Sequence, residues 1–113
     1  MHELAITQSV VDAVIERTGS APVASVRLRV GRLAGVVPDA MRFCFELVTA
    51  GTPLEGAALE FEQPEGRARC RTCGAEFVPA DLILLCDCGS ADVEVLAGRE
   101  LAVASVVLVE PAS

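Results

Sequence analysis

Apolar and polar residues recur along this chain with two periods, and the changes of period mark out its elements. Residues 4–18 read as a helix: Leu4, Val11, Val14 and Ile15 fall near one side, Asp12, Glu16 and Arg17 stay polar, and Gly19 closes it. Residues 23–30 alternate, with Ala24, Val26, Leu28 and Val30 on one side and Ser25, Arg27 and Arg29 on the other, the pattern of a strand with one buried face. After a loop over residues 31–37, Pro38 suits a first helical position and Asp39 places a negative charge in the first turn. That second helix sets Met41, Phe45 and Val48 on one face and ends near Ala50 and Gly51. Residues 58–62 alternate again, Leu59 and Phe61 against Glu60 and Glu62, so the two arginines of the first strand can pair across a sheet with these two glutamates. Residues 101–109 are apolar on both faces apart from Ser105, which predicts a strand at the centre of the sheet or beneath the helices. The expected fold is α/β (α+β), a small sheet covered by two helices, with a long excursion inserted before the last strand.

Composition narrows the picture. The 113 residues are 52 % hydrophobic but contain no Trp and no Tyr, so Phe43, Phe45, Phe61 and Phe77 are the expected large core pieces. A formal net charge of −7 argues against a nucleic-acid backbone as partner and suits basic protein surfaces or cations. No stretch approaches the roughly 20 apolar residues of a membrane helix, and the start lacks the pattern of a signal peptide. The expected location is the cytoplasm, where thiols stay reduced and clustered cysteines read as metal ligands.

The excursion holds that cluster. Cys70-Arg71-Thr72-Cys73-Gly74 is a knuckle in which a tight turn brings two thiolates to one ion, and Gly74 lets backbone N–H groups turn toward sulfur. Cys86-Asp87-Cys88-Gly89 is the second pair, with one residue between its cysteines where two are usual, so its turn must differ. Two such pairs fit a zinc-ribbon-like lobe, and four thiolates close the coordination sphere, which makes the site structural rather than catalytic. With one Zn²⁺ the four carry about −2. Arg67, Arg69 and Arg71 either offset that charge or form a solvated strand face. A redox role for Cys70 and Cys73 is a rival reading. Cys44, in the second helix, reads as an inert buried thiol.

His2 is the sole histidine. An α-amine, the His2 amide nitrogen and its imidazole follow one another, and can form fused chelate rings around a cation that prefers a square-planar array of nitrogens. Ni(II) and Cu(II) have that preference and Zn(II) does not. Glu3 can add a carboxylate or its backbone nitrogen. The contrasting reading is an exposed terminal side chain without a role.

The Met1-His2-Glu3-Leu4 opening, Gln8-Ser9, Arg42-Phe43 with Phe45-Glu46, both knuckles and Gly98-Arg99-Glu100-Leu101 together resemble the HypA/HybF family, nickel metallochaperones that help mature [NiFe]-hydrogenases. The resemblance covers the whole chain. It implies a non-catalytic carrier that binds Ni(II) through Met1, His2 and Glu3 and holds structural Zn(II) with Cys70, Cys73, Cys86 and Cys88. It further implies a nickel-binding domain over residues 1–65 and 98–113 and a zinc-binding domain over 66–97. The implied partners are the GTPase HypB and the hydrogenase large subunit; some relatives also serve urease. Self-association as a homodimer stays open. In some relatives an acidic residue near the second helix helps bind nickel; the nearest here, Asp39, does not align cleanly with it, and its helix-start role is the reading adopted. The alternative function is a zinc-ribbon protein-interaction adaptor without nickel binding.

Overall fold

The computed structural model describes residues 3–110. The elements follow in the order α1 (Glu3–Thr18), β1 (Val23–Val30), α2 (Pro38–Thr49), β2 (Ala58–Glu62), β3 (Arg67–Cys70), β4 (Glu76–Phe77), β5 (Val93–Ala97) and β6 (Leu101–Leu108). They form two three-stranded sheets, ordered β2-β1-β6 and β4-β3-β5. The chain divides into two compact units. One takes the stretches up to Leu28, Val36–Phe61 and from Ala102 onward; the other takes Arg29–Gly35 and Glu62–Leu101.

In the first unit α1 and α2 pack together, and the core is built from Val11 and Val14 of α1, Met41 and Phe45 of α2, and Val23, Val26 and Leu28 of β1. Val11 and Val14 on α1 and Met41 and Phe45 on α2 recur at helical spacing, and Val26 and Leu28 on β1 at strand spacing; Val23 is buried off that alternation, and Ala24, expected on the buried side, is exposed. Thr7 and Thr49 lie within it at no cost in unmade hydrogen bonds, because each hydroxyl donates to the carbonyl four residues earlier, Glu3 and Phe45 respectively, at 2.6 Å. Arg27 pairs with Glu60 at 3.0 Å and Arg29 with Glu62 at 3.1 Å, as the alternation predicts. Both pairs advance in the same direction, the sense of a parallel β1–β2 pair joined by the α2 crossover. All four side chains are well exposed, so Glu60→Ala is expected to change urea-unfolding stability by less than about 1 kcal/mol.

Three expectations are corrected. Strand β6 is not central: it is an edge strand with β1 as its one neighbour in the sheet, and most of its side chains are exposed. An all-apolar run looks the same to sequence periodicity whether its open side is covered by its own chain or left bare. Phe43 is 64 % exposed and outside the core. On α2 the buried positions are Met41, Phe45 and Thr49, one turn apart, and a residue two positions from either faces away. Leu4 is likewise exposed, since the buried stripe of α1 begins only at Thr7. Of the four phenylalanines only Phe45 is buried; Phe61 and Phe77 are half-buried.

In the second unit Val30, Leu33, Ala68, Cys70 and Cys86 are buried. The turn before β6 is held by Glu100, whose Oε1 accepts the Gly98 N–H at 2.8 Å, while the Gly98 carbonyl accepts the Leu33 N–H at 2.7 Å. Gly98 has φ +110°, and a Cβ there would stand 2.5 Å from the Gly66 Cα. Gly98→Ala is therefore expected to cost roughly 2–4 kcal/mol in urea unfolding, from backbone strain plus a clash with main chain that cannot swing aside. The 98–101 signature thus marks a turn that only glycine can make.

Candidate metal centre

Strand β3 ends at Cys70, and the first knuckle follows at once. The Gly74 N–H donates to the Cys70 carbonyl at 2.9 Å, and the Cys70 N–H donates to the Ala75 carbonyl at 2.9 Å, closing a tight loop. Gly74 sits at φ +79°, so the loop closes without the strain a side chain would bring. The Cys73 N–H points at the Cys70 sulfur, 3.5 Å away. In the second knuckle the Gly89 N–H donates to the Cys86 carbonyl at 2.9 Å and the Cys86 N–H to the Ser90 carbonyl at 3.0 Å, the turn that a single intervening residue allows.

These loops bring four sulfurs together. Cys70 and Cys88 Sγ are 3.7 Å apart, Cys73 and Cys86 Sγ 3.6 Å, and all four lie within 4.8 Å of one another. A tetrahedral ion with bonds of about 2.3 Å would set its sulfurs roughly 3.8 Å apart, so spacing and donor chemistry suit a structural zinc ion. The two knuckles alternate around the cluster, each sulfur approaching one from the opposite pair. Cys70 and Cys86 are buried, Cys73 and Cys88 exposed.

The environment tunes these thiols in opposite directions. Hydrogen bonding from the Cys73 backbone holds the Cys70 thiol down to about 6, against an opposing push from desolvation. At Cys86 the Cys88 backbone N–H also favours the thiolate, but desolvation and the crowding of Cys73, Cys88 and Cys70 outweigh it and push the thiol up to about 12. Cys88 is raised as well: hydrogen bonds from the Ser90 backbone and Cys86 favour its thiolate, and Cys70, desolvation and Cys73 outweigh them. Because the thiolate is the ligand, zinc must displace protons from Cys86 and Cys88, so affinity falls as pH falls. The loss should steepen below about 6, where Cys70 also takes up a proton. Chelator competition across that range checks this; a pH-independent affinity would contradict it.

The arginines beside the cluster resolve to the solvated face. Arg67 and Arg69 reach Glu76 at 3.2 and 3.6 Å, and Arg71 reaches Asp92 at 3.1 Å, all on exposed side chains. Sequence reasoning missed what ties the knuckles together: the Thr72 and Ser90 hydroxyls are 2.8 Å apart, and the Arg71 N–H donates to the Asp92 carbonyl at 2.9 Å. A hydroxyl residue inside one knuckle and another just beyond the second was the available signal. Of the proposed nickel ligands, Met1 and His2 lie outside the described residues; Glu3 opens α1. Asp39 is 94 % exposed at its side chain and pairs with Arg42 at 3.3 Å in the first turn of α2, in keeping with the helix-start role. Arg42 also lies over the Phe61 ring, 4.8 Å from its centroid. Cys44 is half-buried and apart from the cluster.

A two-helix α+β unit together with a four-thiol lobe defines a small metal-handling protein with a structural zinc site. The family model described as "Hydrogenase/urease nickel incorporation, metallochaperone, hypA" matches residues 1–108, and the chain belongs to that family. It is 42 % identical over 110 residues to the hydrogenase maturation factor HypA of Nostoc punctiforme, covering 97 % of each chain. It is 50 % identical over 112 residues to that of Streptomyces avermitilis, covering 94 % of this chain and 86 % of the relative. The solution structure of the Ni metallochaperone HypA from Helicobacter pylori superposes with a TM-score of 0.63 at 19 % identity, covering 98 % of this chain and all of the other, which establishes a shared fold.

Proposed function

We propose that this chain carries Ni(II) at its N-terminus and delivers it for maturation of a [NiFe]-hydrogenase. The observation that carries the reading is that the family match begins at residue 1, so it includes the opening that holds the chain's one histidine. The Met1 amine, the His2 amide nitrogen and imidazole, and Glu3 form the proposed ligand set, a nitrogen-rich donor group that suits nickel's planar preference. Cys70, Cys73, Cys86 and Cys88 are the proposed zinc ligands. Their closed sphere leaves no position for a substrate, in keeping with a carrier that has no catalytic activity. The cytoplasm is the proposed location, and the GTPase HypB and the hydrogenase large subunit the proposed partners. The alternative, a zinc-ribbon adaptor that ignores nickel, finds no support in the family match.

The test is transfer. Nickel-loaded protein is mixed with HypB and an immature large subunit, and nickel bound to the re-isolated large subunit is measured. The expected result is transfer that His2→Ala abolishes. Equal transfer by wild type and His2→Ala would remove His2 from the ligand set, and wild type that takes up and transfers no nickel would favour the adaptor.

A further inference from the structure

The four clustered cysteines differ in access, and the difference alternates with their neighbours. Cys73 and Cys88 are exposed, while Cys70 and Cys86 are buried. Each exposed sulfur has a buried sulfur of the opposite knuckle beside it: Cys73 stands 3.6 Å from Cys86, and Cys88 stands 3.7 Å from Cys70. An accessible thiolate next to a shielded one is the arrangement of an attacked and a resolving cysteine. An ion held by four thiolates keeps all of them deprotonated, the form that reacts with oxidants.

The knuckles are also tied together by contacts that need no metal. The Thr72 and Ser90 hydroxyls are 2.8 Å apart, the Arg71 N–H donates to the Asp92 carbonyl at 2.9 Å, and Cys70 pairs with Val93 in the β3–β5 ladder. The facing sulfurs need to close by only roughly 1.6 Å to reach bonding distance, which rotation about side-chain bonds supplies. A bond within either knuckle would tie that loop only to itself and leave no covalent link between the two.

We propose that the cluster is a peroxide-reactive site: an exposed cysteine, Cys73 or Cys88, is oxidised first and then resolved by the buried cysteine of the other knuckle, so that Cys73–Cys86 and Cys70–Cys88 disulfides take over from the metal. In the first step the thiolate sulfur attacks one oxygen of hydrogen peroxide, the O–O bond breaks, and a sulfenic acid and a hydroxide form. In the second the neighbouring thiolate attacks that sulfur, the S–O bond breaks, and a second hydroxide leaves as the S–S bond forms. The two hydroxides take up two protons to give water, and the two electrons lost by the sulfur pair are gained by the peroxide. One disulfide leaves too few thiolates for a structural zinc site, so Zn²⁺ departs. The cross-links then constrain the lobe as the ion did, and it stays ordered without metal. This chemistry rests on the zinc reading of the four cysteines and on nothing at the N-terminus.

The zinc-loaded full chain carrying Cys44→Ser, which leaves only the four cluster thiols, is treated with excess hydrogen peroxide. Released Zn²⁺ is followed with a chromophoric chelator, free thiols are blocked, and disulfides are mapped by mass spectrometry. Cutting after Arg69 and Arg71 and before Asp81 and Asp87 puts each cysteine on its own fragment, so the pairing is read directly. The expected result is release of one Zn²⁺ per chain, Cys73–Cys86 and Cys70–Cys88 disulfides, retained amide protection over residues 67–97, and return to the zinc form on adding dithiothreitol and Zn²⁺. Zinc content before peroxide checks the zinc reading separately: a chain purified without zinc would sink that reading, and its disulfide map would still test the pairing. Cys70–Cys73 or Cys86–Cys88 bonds, disulfides between chains, sulfinic acids in place of disulfides, or zinc and thiols untouched by peroxide would each overturn the proposal. Cross-paired protein whose lobe loses protection would overturn the claim that the disulfides replace the metal clamp.

Discussion

Protein carrying a leader of several residues before Met1 is expected to bind Ni(II) at least about a hundredfold more weakly, with its zinc content and circular dichroism unchanged. The proposed site begins with the free α-amine. Burying that nitrogen in a peptide bond removes its basicity and moves the new terminus out of reach, which opens a fused chelate and leaves a lone imidazole with Glu3. The leader must be long, since one added residue would put the imidazole third, where a free amine and two amides can still surround a planar ion. His2→Ala should lose affinity to a similar extent by removing the other anchor. Asp39→Ala should change it little, because that carboxylate is engaged by Arg42 at the start of α2. Affinity of the native protein should climb as pH rises through the α-amine range, about 8, because the amine must shed its proton to bind. Isothermal titration of these proteins reads all four outcomes.

Removing zinc is the second large effect expected. The buried residues of the cysteine-bearing unit are few and small, and two of them, Cys70 and Cys86, are proposed ligands themselves. So little apolar surface cannot offset the entropy of ordering the β3–β4–β5 sheet, and a structural zinc ion contributes on the order of 10 kcal/mol in peptides of comparable size. Cys70→Ser is expected to abolish zinc retention and to leave amide protons over residues 67–97 in fast exchange, while α1 and α2 keep their helical signal. Cys44→Ser, outside the cluster, should retain one zinc per chain. Amide exchange followed by NMR separates these outcomes. Protection across residues 67–97 in the zinc-free protein would mean that the lobe folds without metal.

Much of this architecture was legible in the chain. The bounds of β1 and β2 follow from alternation, although Ala24, placed on the buried side, is exposed; the start of α2 follows from Pro38 and Asp39, and the two Arg–Glu pairs from facing parities. The convergence of four thiols was legible because a knuckle fixes its own local geometry, and even the short Cys86–Cys88 spacing closes by a turn within itself. What failed were judgements about neighbours. Phe43 is large and apolar, yet only the turn-by-turn rotation of α2 decides that it faces outward. An apolar strand such as β6 states that something should cover it, without stating whose atoms those are. The Thr72–Ser90 contact and the glycine-only turn at residue 98 depend on chain segments far apart in sequence, so two hydroxyls beside the knuckles could be noted without being paired, and the need for glycine at 98 shows only once Gly66 lies against it.

The central claim is that the chain's own beginning captures nickel. It is tested most directly by an equilibrium Ni(II) titration of zinc-loaded protein with an authentic Met1 start, monitored by absorption in the region where planar nickel–nitrogen complexes absorb. One equivalent of nickel per chain, with that absorption appearing in step and with zinc retained, is the predicted result. Folded, zinc-replete protein that takes up no nickel, or takes it up only by displacing zinc from the four cysteines, would contradict the account.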